Sequence, residues 1–206
     1  MVLGEIKKMK VKDMPKLKSP FVRKMKNGHY VVTPEIGPDY KWVFEDNKVM
    51  AIEKINGTNV SIVIKDGEII SIWNRKNHVP FFSKGNSVII KGLLNSFDRG
   101  YSDLPDGQHF GELVGGRING NLYNLEEPRW LPFETFCRKH LRYKSWGKYP
   151  TDFDSISKWF KDDLIPLFSS MLGNREGYVE GIVFTHPDGR MAKLRRDMFD
   201  WFYERK

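Results

Sequence analysis

The chain has 206 residues, enough for one domain or for one domain with an extension, and its 40% apolar content, with six tryptophans and fourteen phenylalanines, supplies a core and excludes wholesale disorder. A single cysteine, Cys137, excludes an internal disulfide and a Cys-x-x-Cys zinc site, which points to a reducing, cytoplasmic setting. No apolar run approaches the ~18 residues of a membrane span and the lysine-studded N-terminus lacks the apolar stretch of a signal peptide, so no membrane is expected, while a net charge of +8 points to a polyanionic partner.

Charge is concentrated at the start. Residues 5–26 hold nine cations (Lys7, Lys8, Lys10, Lys12, Lys16, Lys18, Arg23, Lys24, Lys26) against Glu5 and Asp13, and the remainder is nearly balanced. The expected organisation is therefore a basic arm over residues 1–26 and one domain over 27–206, the arm on composition alone being a solvated tail. Pro34, Gly37 and Pro38 then mark a loop. Strands are predicted over 48–53, 59–65 and 68–73, the last two joined by the hairpin signal Lys65-Asp66-Gly67-Glu68. Residues 87–97 read as a helix capped by Ser87, and 109–114 and 131–137 as strands. A helix over 154–172, with apolar residues on one side, is broken near Pro166. Strands over 181–185 and 190–194 flank a Pro187-Asp188-Gly189 turn, and a short helix closes the chain. Hairpins interspersed with isolated helices make the predicted fold class α+β with antiparallel sheets.

Searches for a P-loop, a dinucleotide fingerprint, a nucleophile elbow and a zinc-protease motif find none, and the five histidines are scattered. What stands out is Glu53-Lys54-Ile55-Asn56-Gly57-Thr58-Asn59, a lysine at the end of an apolar strand followed by a glycine turn. A lysine so placed directs an amine into whatever pocket the sheet encloses, and Gly57 lets backbone approach a ligand closely. Alone, it is an ordinary strand-end lysine. Four further segments change its weight. His109-Phe110-Gly111-Glu112-Leu113 and Glu180-Gly181-Ile182-Val183-Phe184 each put a carboxylate beside glycine on a strand. Leu131-Pro132-Phe133-Glu134 sets an aromatic ring next to an acid, and Ala192-Lys193-Leu194-Arg195 sets two cations on one face of a strand.

In this order and spacing the segments resemble the covalent nucleotidyltransferase superfamily of ATP-dependent RNA and DNA ligases and capping enzymes, and among these the phage-type, nick-sealing RNA ligases of the second type. The resemblance covers roughly residues 40–136 and 178–196; residues 137–177 do not align. It implies antiparallel sheets with flanking helices enclosing a nucleotide pocket. Lys54 stands in the nucleophile position of motif I, with Glu53, Ile55 and Asn59 beside it as nucleotide-binding residues. Arg75 matches the arginine that engages the reacting phosphate, and Glu112 the motif III glutamate that holds the ribose. Phe133 falls where a ring stacks on the purine, Glu180 where motif IV binds the divalent metal, and Lys193 and Arg195 match motif V. Two departures stand out. Asn56 occupies a position usually held by Asp or His, and Arg195 replaces a lysine, keeping charge but not amine geometry.

The implied activity is that of an ATP-dependent RNA ligase using Mg²⁺ or Mn²⁺. Lys54 must attack as a neutral amine, although a lysine of reference pKa ~10.4 is protonated at neutral pH, so Lys193, Arg195, Arg75 and the metal would act to disfavour its charge. The resulting lysyl-AMP would adenylylate an RNA 5′-phosphate, and a 3′-OH would then seal the break. The alternatives are an ATP-dependent DNA ligase, a capping-type guanylyltransferase, or a non-catalytic RNA-binding relic of the same fold. Members of this superfamily usually carry a further domain beyond motif V, so the resemblance implies a minimal nucleotidyltransferase domain. Its partners would be RNA ends or a nicked RNA-containing duplex, with an accessory protein or the substrate's own fold assisting. The basic arm would then take over the grip on nucleic acid, each phosphate contact adding ~0.9 to the salt slope.

Overall fold

The computed structural model describes residues 11–82, 84–97, 104–148 and 151–204; Lys7, Lys8, Lys10 and Glu5 of the predicted arm lie outside them. In chain order the strands are β1 (Phe21–Lys26), β2 (His29–Ile36), β3 (Met50–Lys54), β4 (Thr58–Lys65), β5 (Glu68–Asn74), β6 (Asn77–His78), β7 (Gly107–Val114), β8 (Arg129–Pro132), β9 (Gly181–Thr185) and β10 (Met191–Arg195). The α-helical segments are α1 (Trp42–Glu45), α2 (Ser87–Phe97), α3 (Arg138–His140), α4 (Phe153–Lys158) and α5 (Leu167–Met171). Every strand pairing is antiparallel, and the fold class is α+β, as predicted. The chain divides into two compact units, one of residues 56–140 with the segment up to Pro15, the other of residues 16–55 and 141–206.

The first unit is a five-stranded sheet in the order β6-β5-β4-β7-β8. Along β4, Val60, Ile62 and Ile64 point to one face, where they cluster with Ile72, Leu113, Trp130 and with Ile89 and Leu93 of α2. The apolar stripe of α2 covers this face of the sheet because its spacing matches the helix period. The buried indole of Trp130 donates to the Val60 carbonyl at 3.0 Å, so the ring is buried without an orphaned donor. The strand predicted over 131–137 ends early: Phe133–Cys137 form a π-helical turn that runs into α3. Pro132 closes the edge strand because it has no N–H to continue a ladder.

The second unit is built on a three-stranded sheet in the order β10-β9-β3. Ala51, Ile182, Phe184, Ala192 and Leu194 point from it into a core shared with Val43, Ile156, Phe160 and Phe199. The predicted 154–172 helix is broken, as expected. Asp152 caps α4 by accepting from the Ser155 N–H at 3.0 Å, a π-helical turn covers Trp159–Asp163, and Leu164 is already extended before Pro166. Ile165, the residue before the proline, is itself disfavoured from helical geometry, so the helix does not resume until after Pro166. The predicted closing helix is two short 3₁₀ turns, Arg196–Met198 and Asp200–Phe202, with buried Phe199 extended between them.

Residues 21–26, read from composition as the end of the arm, form β1 and pair with β2. Phe21 is 3% exposed and packs on Phe44 and Phe153 with ring centroids 5.0 and 5.1 Å apart. Arg23, Lys24 and Lys26 stay on the solvated part of the hairpin, where Lys24 pairs with Glu35 at 3.6 Å and Lys26 with Asp200.

Candidate active site

In the second unit, the period-2 alternation of the strands sorts the candidates. Lys54 of β3 lies opposite Gly181 of β9, and Gly181 lies opposite Arg195 of β10. Cross-strand partners share a face, so Lys54 and Arg195 flank a position that carries no side chain. A Cβ on Gly181 would collide with the Leu194 carbonyl oxygen and lie 2.6 Å from the Arg195 Cα, so only glycine fits there. Glu180, immediately before it, is held between the two cations: Lys54 Nζ donates to Oε2 at 2.6 Å and Arg195 Nη1 to Oε1 at 3.4 Å. The pair is largely enclosed, the Glu180 side chain being 11% exposed and that of Lys54 22%. Lys193, two residues before Arg195 on β10, shares their face.

Sequence reasoning missed Asp197, which takes the other side of the Arg195 guanidinium at 2.9 Å. An acid two residues past a paired arginine was the available signal. Burial pushes the Lys193 ammonium below the usual lysine range, and the Arg195 and Lys54 charges push it the same way, against the pull of Glu180.

Glu53 is not brought together with these residues. As the strand neighbour of Lys54 it points to the opposite face, 2% exposed, where its Oε2 accepts from the Phe168 N–H at 2.9 Å and its Oε1 has no hydrogen-bond partner. Burial pushes this carboxyl up to about 7, against the Phe168 hydrogen bond, which favours the charged form. Ile55 is buried at the end of the same strand.

In the first unit, Asn59 on β4 lies directly opposite Glu112 on β7, and Glu112 opposite Leu131 on β8. These three share the sheet face opposite the one that α2 covers. Asn59 is 8% exposed; its amide nitrogen donates to the Gly111 carbonyl at 3.4 Å while its Oδ1 has no partner. Gly57 permits the close approach of its turn to β7, because a Cβ there would strike the Leu113 carbonyl and sit 2.8 Å from the Glu112 Cγ. Arg75 is exposed in the turn after β5 with a φ of +55°, a left-handed conformation unusual for a non-glycine, and its N–H reaches the Asn59 carbonyl at 3.4 Å. Phe133 is half-buried at the start of the π-helical turn, next to exposed Glu134.

Asn56 has a structural occupation. Its N–H donates to the Tyr123 hydroxyl at 2.8 Å, its Oδ1 accepts from Asn119 Nδ2 at 2.9 Å, and the same Asn119 nitrogen donates to the Gly57 carbonyl at 2.7 Å. An amide or carboxylate oxygen at position 56 is therefore what fastens the turn after Lys54.

No group of three or more His, Cys, Asp or Glu side chains that could hold a metal exists among the described residues. The donor set that is present is one enclosed carboxylate, Glu180. Magnesium and manganese at phosphoryl-transfer sites are held in this way, by one or two carboxylates with the remaining positions left to water and substrate phosphates. Glu180 fits that requirement. No helix among the described residues is long and apolar enough to cross a membrane.

No protein-family model matches the chain, and no curated protein matches it. Among solved structures, the chain is similar to RNA ligase of Naegleria gruberi. A point mutant without ligand is 18% identical, with 92% of this chain and 61% of that one covered and a TM-score of 0.47. A mutant with AMP and Mn is 18% identical over 91% of this chain and 61% of that one, at a TM-score of 0.48. A mutant with ATP and Mn is 16% identical over 93% and 62%, at 0.47. The chain spans about three fifths of the length of these structures.

Proposed function

We propose that this chain is an ATP-dependent RNA ligase of the covalent nucleotidyltransferase type, with Lys54 as its nucleophile. The observation that carries the reading is the Lys54–Glu180–Arg195 arrangement around Gly181, with Lys193 on the same face and the motif order of the sequence behind it. An amine at the end of a strand, hydrogen-bonded to one enclosed carboxylate and flanked by two further cations, is suited to attack on a phosphate. Glu180 Oε2, at 2.6 Å from Nζ, orients the amine and is the nearest acceptor for its proton.

The neutral amine would attack the α-phosphorus of ATP, forming a P–N bond as the bond to the bridging oxygen breaks and pyrophosphate leaves. Lys193 and Arg195 would stabilise the charge that builds on the departing oxygens. A divalent metal on Glu180 would supply Lewis-acid charge neutralisation at the phosphates. The motif resemblance assigns nucleotide contact to Asn59, the ribose to Glu112 and the purine to the ring of Phe133, a stacking contact worth ~1–3 kcal/mol. An RNA 5′-phosphate oxygen would then attack the same phosphorus, breaking the P–N bond and returning the lysine. Finally a 3′-OH would attack the 5′-phosphorus and expel AMP.

Incubation with α-labelled ATP and Mg²⁺ or Mn²⁺ is expected to label the protein, and Lys54→Ala to abolish the label. An unlabelled wild type, or equal labelling of Lys54→Ala, overturns the reading. Competition between ATP and GTP, then sealing of matched nicked RNA, DNA and hybrid duplexes, separates RNA ligation from capping and DNA ligation.

A further inference from the structure

β10 is an edge strand, and an edge leaves a row of backbone groups unpaired. Here one of them is taken by the chain's own N-terminal segment: the Lys193 N–H donates to the Lys18 carbonyl at 2.9 Å. Lys18, one of the lysines read as part of a nucleic-acid arm, is therefore laid beside the strand that carries Lys193 and Arg195. Lys16, two residues before that contact, is close enough for its charge to act on Lys193, in the same direction as Arg195 and Lys54.

The pairing of charge around Lys193 is uneven. Lys54 is paired with Glu180, and Arg195 with Glu180 and Asp197. Among the described residues, neither Lys16 nor Lys193 is paired with a carboxylate. Four cations thus gather about two acids, and Lys193 is already partly desolvated. An anion carrying more than one negative charge would balance such a cluster.

We infer that Lys16 is a further substrate-binding residue, holding with Lys193 the terminal phosphates of the nucleoside triphosphate and the pyrophosphate released from it. This rests on the ligase reading and extends it: part of the basic N-terminal segment serves the nucleotide step, with the Lys18 carbonyl fixing its place on the β10 edge. An RNA backbone is the competing occupant, and the two are separable by which Michaelis constant moves.

The test uses the full chain and the variants Lys16→Ala, Lys16→Glu and Lys16→Arg, with Lys24→Ala removing an equal charge from the β1–β2 hairpin. Calorimetric binding of inorganic pyrophosphate and the ATP dependence of adduct formation are measured at low and high salt. Lys16→Ala is expected to weaken pyrophosphate binding and raise KM for ATP about two- to fivefold, the range of a solvent-exposed charge contact, with the maximal rate unchanged. Lys16→Glu should lose more, Lys16→Arg should restore binding, Lys24→Ala should match wild type, and the losses should shrink as salt rises. Wild-type values in Lys16→Ala and Lys16→Glu, a fall in rate and melting temperature without a change in KM for ATP, or a change confined to KM for nicked RNA each overturn the inference while leaving the ligase reading intact. Absence of adduct in wild type overturns the ligase reading; pyrophosphate binding that still depends on Lys16 would then uphold the anion site.

Discussion

Glu53→Gln should make the protein more stable at alkaline pH and leave it nearly unchanged in acid. The Glu53 carboxyl is 2% exposed on the core face of β3, and burial moves its titration from 4.5 to about 7. Between those values the folded chain keeps a proton that the unfolded chain has released. Its contribution to stability is therefore fully present below the unfolded value and is lost as pH rises through about 7. At ~1.4 kcal/mol per pH unit the loss comes to about 3 kcal/mol. Glutamine has nearly the same shape, keeps an oxygen for the Phe168 N–H and does not titrate. In urea titrations the difference between the two proteins cancels every other titrating group. The variant should match wild type near pH 4 and exceed it by about 3 kcal/mol near pH 8. Parallel pH profiles would refute the assignment of a buried, largely desolvated carboxyl at this position.

Phe21→Ala should cost about 3–5 kcal/mol, as for other buried phenylalanines, and be visible in the urea midpoint; an unchanged midpoint would mean that β1 is not part of the second unit's core. Gly181→Ala forces a methyl group into the Leu194 carbonyl and Arg195 backbone, so a loss of about 1–3 kcal/mol is expected in chemical denaturation, and wild-type stability would contradict the close approach of β9 and β10. Glu180→Gln removes the charged partner of Lys54 and should slow ATP-dependent labelling by about 10²–10³-fold, measured by gel after timed quenching, with an undiminished rate counting against Glu180 as the carboxylate of the reaction.

The strands that carry the candidate residues were legible because a half-buried strand writes its period into the sequence. Lys193 and Arg195 at i and i+2 had to share a face, and they do, beside Lys54. The same rule applied to Glu53 and Lys54 places their side chains on opposite faces, yet a motif read as a unit grouped them together. Residues 21–26 were not legible as a strand. One phenylalanine holds β1 to the core while its neighbours are cations, and composition averages that single anchor away. The turn at Phe133–Cys137 was hidden for another reason: Leu131 to Cys137 is apolar enough for a strand, and only Pro132 marks where the ladder must stop. Asn56 looked like a departure in a catalytic motif. Its bonds to Tyr123 and Asn119 are long-range, and no local pattern announces them.

The pairing of β3 with β9 also has a temporal side. Lys54 meets Glu180 across 126 residues of chain, whereas β4 and β5 are joined by a two-residue turn and can pair as soon as both have left the ribosome. The first unit is encoded almost entirely between the halves of the second. The three-stranded sheet must therefore wait for the β9–β10 hairpin, the slow closure expected of non-local strand pairing. Lys54 and Glu180 come together in that same late step. A nascent or truncated chain without β9 exposes the unpaired edge of β3 and lacks the carboxylate that faces Lys54, so the Lys54–Glu180–Arg195 arrangement and completion of that sheet arrive as one event.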